Sequence, residues 1–200
     1  MSFSWLYTRK LQASVSPLSS AIEARGEIVL TPVLCQGKIM ENIKIYEISS
    51  DYIDYLVPIA EHLYHNKKNN QKNERKYIGI VLTINGYDYF APLSSFKPKH
   101  LKMKESIDFI KVKDYAVINL NNMFPVPIRE CRYVDIKNVK DPNYRALLLA
   151  EYRYIKSIQG KIRKNALTVY RHKIKNADAT PLAKRCNDFA ALEKACMLYL

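Results

Sequence analysis

Glycine is scarce, with five in 200 residues, and this excludes a Gly-rich cradle for a nucleotide phosphate. GxSxG, HExxH, Walker and GxGxxG patterns are all absent, so the familiar hydrolase, zinc-protease, nucleotidase and dinucleotide signatures give no purchase. The four His residues are scattered and form no local twin-His nuclease pair. Four cysteines, Cys35, Cys131, Cys186 and Cys196, show no CxxC spacing and no His at zinc-ligand distance. No metal ligand set and no cofactor is therefore expected, and the thiols read as small apolar fillers in a reducing compartment. Apolar runs such as Ala146–Ala150 are far shorter than a bilayer span. Arg9 and Lys10 are not followed by the apolar stretch of a signal peptide. A cytoplasmic protein without a membrane partner is the expectation.

What the chain does have is positive charge. Lys and Arg number 32 against 19 Asp and Glu, a net +13. A compact domain with that excess attracts polyanions, nucleic acid first. Charge by itself does not separate RNA from DNA, from a membrane surface or from an inert basic exterior. Apolar residues make up 48% and charged residues 26%, a globular mixture in a length suited to one domain.

Residues 1–39 differ from the rest. They contain no Asp or Asn, and a short β-like run from Glu27 to Cys35 interrupts scattered Ser and Pro. They read as an appended or mis-started leader ahead of Met40, or as an extra edge strand. Four of the 32 cations and two of the 19 acids fall there, which leaves 28 against 17 in residues 40–200. The basic excess therefore belongs to the single domain expected over 40–200.

Ile43 to Ile48 alternates like a half-buried strand. Ser49 and Ser50, with Asp51 and Asp54 behind them, predict a capped helix that carries Tyr52, Tyr55, Leu56, Ile59 and Leu63 on one face, with Pro58 able to bend or shorten it. His65 to Arg75 is polar and basic and reads as a surface loop. Tyr77–Ile84 and Tyr87–Leu93 flank Asn85-Gly86, a type I′ hairpin signal. Further strands are predicted over 108–112, 115–120 and 131–136. Asp141-Pro142 opens a helical region in which Tyr144, Leu148, Ile155, Ile158, Ile162, Ala166 and Val169 form one apolar stripe, with Gly160 a point of division. A last helix over about 188–199 is predicted to be capped by Asn187. Strands first and helices last indicate an α+β domain around a twisted antiparallel sheet.

Chemistry concentrates after the second hairpin strand, in Pro92-Leu93-Ser94-Ser95-Phe96-Lys97-Pro98-Lys99-His100. Two hydroxyls, two ammonium groups and an imidazole at a strand end can hold a phosphate and stabilise charge that builds on it. On composition alone the same run is also an ordinary solvated loop. Opposite the late apolar stripe lie Arg153, Lys156, Arg163 and Lys164, either an RNA-gripping face or a solvated one.

Several blocks, in order, carry a family resemblance. Lys44 to Leu56 (KIYEISSDYIDYL), Arg75 to Leu82 (RKYIGIVL) and Tyr89 to Lys97 (YFAPLSSFK) come first. Val117 to Val126 (VINLNNMFPV) and Cys186 to Phe189 (CNDF), with Leu192-Glu193, follow. Together the chain over 43–193 resembles the ToxN, CptN and AbiQ toxins of RNA-inhibited, type III toxin–antitoxin systems. The resemblance implies a compact twisted sheet or barrel like that of the MazF and Kid toxins, with surrounding helices. It implies metal-independent RNA cleavage in toxin–antitoxin or abortive-infection defence. It implies that the toxin processes, and is inhibited by, a small repeated antitoxin RNA folded as a pseudoknot in a closed ring. The family's Thr/Ser-Ser-x-Lys falls on Ser94, Ser95 and Lys97, and its basic residue before the hairpin falls on Arg75. A family tyrosine of the preceding loop is replaced by Gln71, with Tyr64 a nearby substitute. Tyr52 matches a family tyrosine on the first helix, where it either packs or touches RNA. Lys76, Lys99 and His100 are further candidate RNA contacts, and His100 is also a candidate proton shuttle.

Such a reaction uses the RNA's own 2′-OH as nucleophile. The protein must take a proton, neutralise a phosphorane and protonate the leaving 5′-oxygen. Ser95 suits positioning, Arg75 charge stabilisation and Lys97 proton transfer; the general base is left open. The rival class is a non-catalytic RNA- or DNA-binding module that uses the same cations and the 15 Tyr for phosphate contacts and stacking. A third reading is a structural protein whose basic face meets an acidic partner.

Overall fold

The computed structural model describes residues 42–66 and 74–199. The leader reading of residues 1–39, Cys35 and the middle of the polar loop, residues 67–73, lie outside the described residues. Strand β1 (Lys44–Ile48) ends at Ser49, whose hydroxyl accepts the Tyr52 N–H at 3.2 Å and caps helix α1 (Ser50–Leu56). The helix stops earlier than the apolar spacing predicts. Pro58 has no N–H for the Asp54 carbonyl, and the N–H groups of Ile59 and Ala60 both turn to the Leu56 carbonyl at 2.9 Å. Ile59 is thereby left 40% exposed.

Strands β2 (Lys76–Ile84) and β3 (Tyr87–Ser95) form the hairpin, with Asn85 at φ 53° and Gly86 at φ 81°, both positive as a type I′ turn requires. Strand β3 runs two residues past the predicted Leu93. Ser94 and Ser95 are strand residues paired with Val117 and Ala116, not members of a loop. Lys97 leads into a short helix α2 (Pro98–Lys102), which the loop reading missed. Strands β4 (Phe109–Val112) and β5 (Ala116–Asn119) follow, then β6 (Phe124–Pro125) and β7 (Cys131–Tyr133).

The sheet order is β4-β5-β3-β2-β1-β7 with β6 on β3, and each recorded pairing is antiparallel. It is an open sheet, and this corrects the barrel expectation. Short strands of four and three residues end it at β4 and β7, and both faces are covered by helices instead of by the sheet itself. The α+β class stands.

Strand alternation supplies two cores. Ile45, Ile78, Tyr89, Ala91 and Leu93 join Leu148 and Ile155 of α3 (Pro142–Ser157) and Ile162, Ala166 and Val169 of α4 (Gln159–Asn176). On the other face Ile48, Tyr77, Phe90 and Phe124 join Tyr52, Ile53 and Leu56 of α1 and Leu192 and Ala195 of α6 (Phe189–Leu198). Asp141 caps α3 by accepting the N–H groups of Asn143 and Tyr144 at 3.0 and 3.1 Å. The helices break at Ile158, two residues before Gly160. The short α5 (Pro181–Lys184) follows α4. Helix α6 is capped by Asp188, one residue after the predicted Asn187. Asn187 is buried and its Oδ1 accepts the His62 N–H at 3.1 Å. No helix among the described residues is long and apolar enough to cross a membrane.

The hairpin contains one tight approach. A Cβ on Gly79 would lie 2.2 Å from the Phe90 ring, and Phe90 is fully buried with its ring edge-on to Tyr46 at 5.2 Å. Gly79→Ala is expected to lower stability by about 1–3 kcal/mol through overpacking. Chemical denaturation measures it, and an unchanged midpoint would contradict this packing.

Candidate active site

The hairpin register brings distant residues to one place. Lys76 pairs with Leu93 and Tyr77 with Pro92, so Arg75, one residue before β2, comes to the end of the sheet where Ser94 and Ser95 stand. The first turns of α3 pass over this end. Between them lies a cleft of about 370 Å³. Arg75, Lys76, Ser94, Ser95 and Lys97 line it from the sheet side, and Tyr144, Leu148 and Glu151 line it from α3. Four residues predicted to act together, Ser94, Ser95, Lys97 and Arg75, thus meet in one cavity.

Local structure holds each of them. Both serines sit on backbone paired to β5. Lys97 is exposed, and its backbone is fixed by α2: its N–H donates to His100 Nδ1 at 3.0 Å, and its carbonyl accepts the His100 N–H at 2.8 Å. The Arg75 guanidinium lies 5.8 Å from the centroid of the Tyr64 ring. Tyr64 is half exposed, so an aromatic face stands beside Arg75 although the matched loop position is Gln71.

Other predicted contacts have structural roles. Tyr52 is buried and its hydroxyl donates to the Pro125 carbonyl at 2.8 Å, which ties α1 to β6. An RNA contact by Tyr52 is corrected to packing, and burial pushes its phenol well above the ordinary range. His100 is 6% exposed, sits against Phe96 and Phe109 and spends Nδ1 on the Lys97 N–H. Both the solvated-loop and RNA-contact readings of His100 give way to a turn-fixing role. Burial, then the charges of Lys99, Lys97 and Lys111, hold its imidazole below its ordinary value. Lys76 lines the cleft but is 9% exposed and ion-paired with Glu47; it also donates to the Glu74 carbonyl at 3.3 Å. Its ammonium braces the sheet, so the RNA-contact expectation is corrected here too. Burial pushes the Glu47 carboxyl up, but hydrogen bonds and charge from Lys76 and Arg132 outweigh this and leave it below its ordinary value.

Lys99 is exposed on α2, and Arg153, Lys156 and Lys164 are exposed on α3 and α4. Arg163 is partly buried, and desolvation lowers its pKa. None of these five lines the cleft. Among the described residues no three His, Cys, Asp or Glu side chains gather in a set suited to a metal ion.

Glu151 was not singled out in the sequence. It is 5% exposed, faces the same cleft, and burial raises its pKa from 4.5 to about 7. Tyr144 beside it is pushed up to about 12 by burial, then by the charges of Glu151 and Glu47. The signal was present: Glu151 falls between Leu148 and Ile155 at spacings of three and four, a carboxylate set into the apolar stripe.

Comparison with known proteins gives a consistent result. The family described as "Toxin ToxN, type III toxin-antitoxin system" matches residues 44–197. Endoribonuclease ToxN of Bacillus thuringiensis subsp. kurstaki is 34% identical over 169 residues, covering 80% of this chain and 85% of its own length. Endoribonuclease AbiQ of Lactococcus lactis subsp. lactis is 29% identical, covering 78% and 89%. A solved structure of a type III system, in which a non-coding RNA pseudoknot selectively inhibits the toxin, superposes with a TM-score of 0.65. It is 31% identical and covers 78% of this chain and 97% of its own. The structure of AbiQ, a lactococcal anti-phage endoribonuclease, superposes with a TM-score of 0.69 at 26% identity, covering 80% and 98%. The match to the family over 44–197 and the identity to its curated members place this chain in the ToxN family of type III toxin–antitoxin systems.

Proposed function

We propose that this chain is a metal-independent endoribonuclease toxin that cuts RNA by attack of the substrate's own 2′-OH, and that residues 40–200 carry the activity. The observation that supports it most is the convergence of Ser94, Ser95, Lys97 and Arg75 on one cleft at the end of the hairpin. The endoribonuclease activity named for the relatives is in keeping with it. Ser95, on the strand face shared with Leu93 and turned to α3, binds the scissile phosphate and orients the 2′-OH, and Ser94 lines the cleft beside it at the strand end. Arg75 stays charged and offers paired donors to the phosphorane oxygens. Lys97, an ammonium, gives a proton to the leaving 5′-oxygen. These cations supply charge stabilisation that a metal would otherwise provide. Tyr64 and Lys99 flank the site as a stacking face and a phosphate contact.

The partner in this reading is a small repeated antitoxin RNA folded as a pseudoknot, which the toxin processes and with which it closes into a ring in the cytoplasm. The RNA-inhibited structural relative favours it. The faces that bear Arg153, Lys156, Arg163 and Lys164 would grip that RNA's phosphates.

RNA incubated with the protein and EDTA is expected to yield 2′,3′-cyclic phosphate and 5′-OH ends; 5′-phosphate ends would contradict 2′-OH attack, and shifted but intact RNA would favour a non-catalytic binding module. Ser95→Ala and Lys97→Ala are each expected to slow single-turnover cleavage by about a hundredfold or more, since one lost donor to transition-state charge costs roughly 3 kcal/mol. Their melts should stay within about 0.5 kcal/mol of wild type. Near-wild-type cleavage in both would remove them from the chemistry. Replacing Arg153, Lys156, Arg163 and Lys164 together should flatten the salt dependence of RNA binding by roughly one log–log unit per lost phosphate contact. An unchanged slope would return them to ordinary solvated surface.

A further inference from the structure

Attack by a 2′-OH needs a proton acceptor, and the residues assigned above do not provide one. A serine hydroxyl is a poor base, and a guanidinium does not deprotonate in proteins. Lys97, as the ammonium that serves the leaving group, has no lone pair to accept with. The Lys76 ammonium is committed to Glu47, and His100 is buried with Nδ1 already accepting a backbone N–H. Tyr144 is held protonated well past neutral pH.

Among the described residues two carboxylates line the cleft, Glu74 and Glu151. They differ in surroundings. Glu74 is about one-third exposed, and its carboxylate lies 3.9 Å from the Arg132 guanidinium at the open edge of the cleft. Glu47, behind Lys76, is shared by Lys76 and Arg132, whose hydrogen bonds and charge outweigh burial and hold its carboxyl below its ordinary value, so it is a weak base. Glu151 stands on α3 between the core residues Leu148 and Ile155, is 5% exposed and lines the cleft. The titratable and charged groups around it are Arg75, Lys76 and Glu74 at the start of β2, Lys97 beyond β3, Tyr144 on its own helix and Glu47 behind Lys76.

We propose that Glu151 is the general base: its carboxylate takes the proton from the attacking 2′-OH. The assignment rests on the 2′-OH mechanism above. The proton passes to the Glu151 carboxylate as the 2′-oxygen bonds to phosphorus. The bond from phosphorus to the 5′-oxygen breaks, and that oxygen takes a proton from Lys97. The products are a 2′,3′-cyclic phosphate and a 5′-OH; solvent then removes the proton from Glu151 and returns one to Lys97. Burial suits Glu151 to the task, because a base is most effective when it titrates near the working pH, and its pKa is about 7. Burial is the cause of that shift. The fold therefore favours the protonated acid. The ionised form destabilises it increasingly as pH rises from the ordinary glutamate range through about 7. A carboxylate kept at a cost to stability is the mark of a working group more than of a brace.

The test is single-turnover cleavage of an RNA oligonucleotide by the purified full chain, from about pH 5 to about pH 9, beside thermal melts. Wild type should show a rate that falls with decreasing pH below about 7, where the base becomes protonated. Glu151→Gln should lose that limb and about a hundredfold or more in plateau rate. Glu151→Asp should keep the limb with a lower plateau. At pH 8 the melt of Glu151→Gln should lie at or above wild type, because a neutral amide replaces a buried charge. Retention of the wild-type rate and limb in Glu151→Gln would overturn the assignment, and so would a markedly lower melt, which would make Glu151 a structural brace. An RNA with a single 2′-deoxy residue at the cut site separates the two claims. If it is cleaved, the 2′-OH mechanism itself fails. If it resists cleavage while Glu151→Gln keeps its limb, Glu151 alone is excluded.

Discussion

The register of the β2–β3 hairpin is the constraint on which the site depends. Asn85 and Gly86 close the turn in two residues with positive φ, and this turn, with the irregularity between Ile78 and Leu82, sets Lys76 opposite Leu93. A slip of one residue would send alternate side chains to the wrong face of the sheet and would separate Arg75 from the serines. The part-buried Lys76–Glu47 pair fastens β2 to β1 at that same end. Residues some twenty positions apart in sequence are thereby brought together, Ser94 and Ser95 on paired backbone and Arg75 and Lys97 one and two residues beyond the strand ends.

The electrostatics of the cleft follow from what covers it. Its sheet side is cationic, and its helix side brings a phenol and a carboxyl on an otherwise apolar surface. The helix keeps water from the Glu151 side of the cleft, while Ser95 and Lys97 on the sheet side stay exposed, and charge interactions strengthen where water is removed. The same exclusion of water raises Glu151. Arg153, Lys156 and Lys164 are exposed and Arg163 is partly buried, all away from the cleft. On α3 the cleft-lining residues and these exposed cations are different sets of side chains on one helix.

Much of this was legible in the sequence for local reasons. The Asn-Gly turn, the Ser49 and Asp141 caps and the apolar stripe on α3 and α4 are each decided by neighbours a few residues apart. What escaped depends on long-range packing. Tyr52 and His100 are polar residues whose burial requires knowing that Pro125 and Phe109 lie against them. Lys76 looks like a surface cation until Glu47 is placed beside it. Strand β6 is two residues long and contains Pro125, so it has no periodicity to detect. The open sheet in place of a barrel depends on how β4 and β7 end, which no local pattern specifies. Glu151 lay between these classes, visible as a break in an apolar stripe but interpretable only with the cleft in view.

The central claim is that this cleft holds the scissile phosphate. A crystal structure of the full chain with an RNA made uncleavable by one 2′-deoxy residue tests it most directly. The phosphate is expected between the Ser95 hydroxyl, the Lys97 ammonium and the Arg75 guanidinium, each within hydrogen-bond distance, with the sugar's 2′ position turned toward Glu151. A scissile phosphate bound on the outer faces of α3 and α4, with the cleft unvisited, would contradict it.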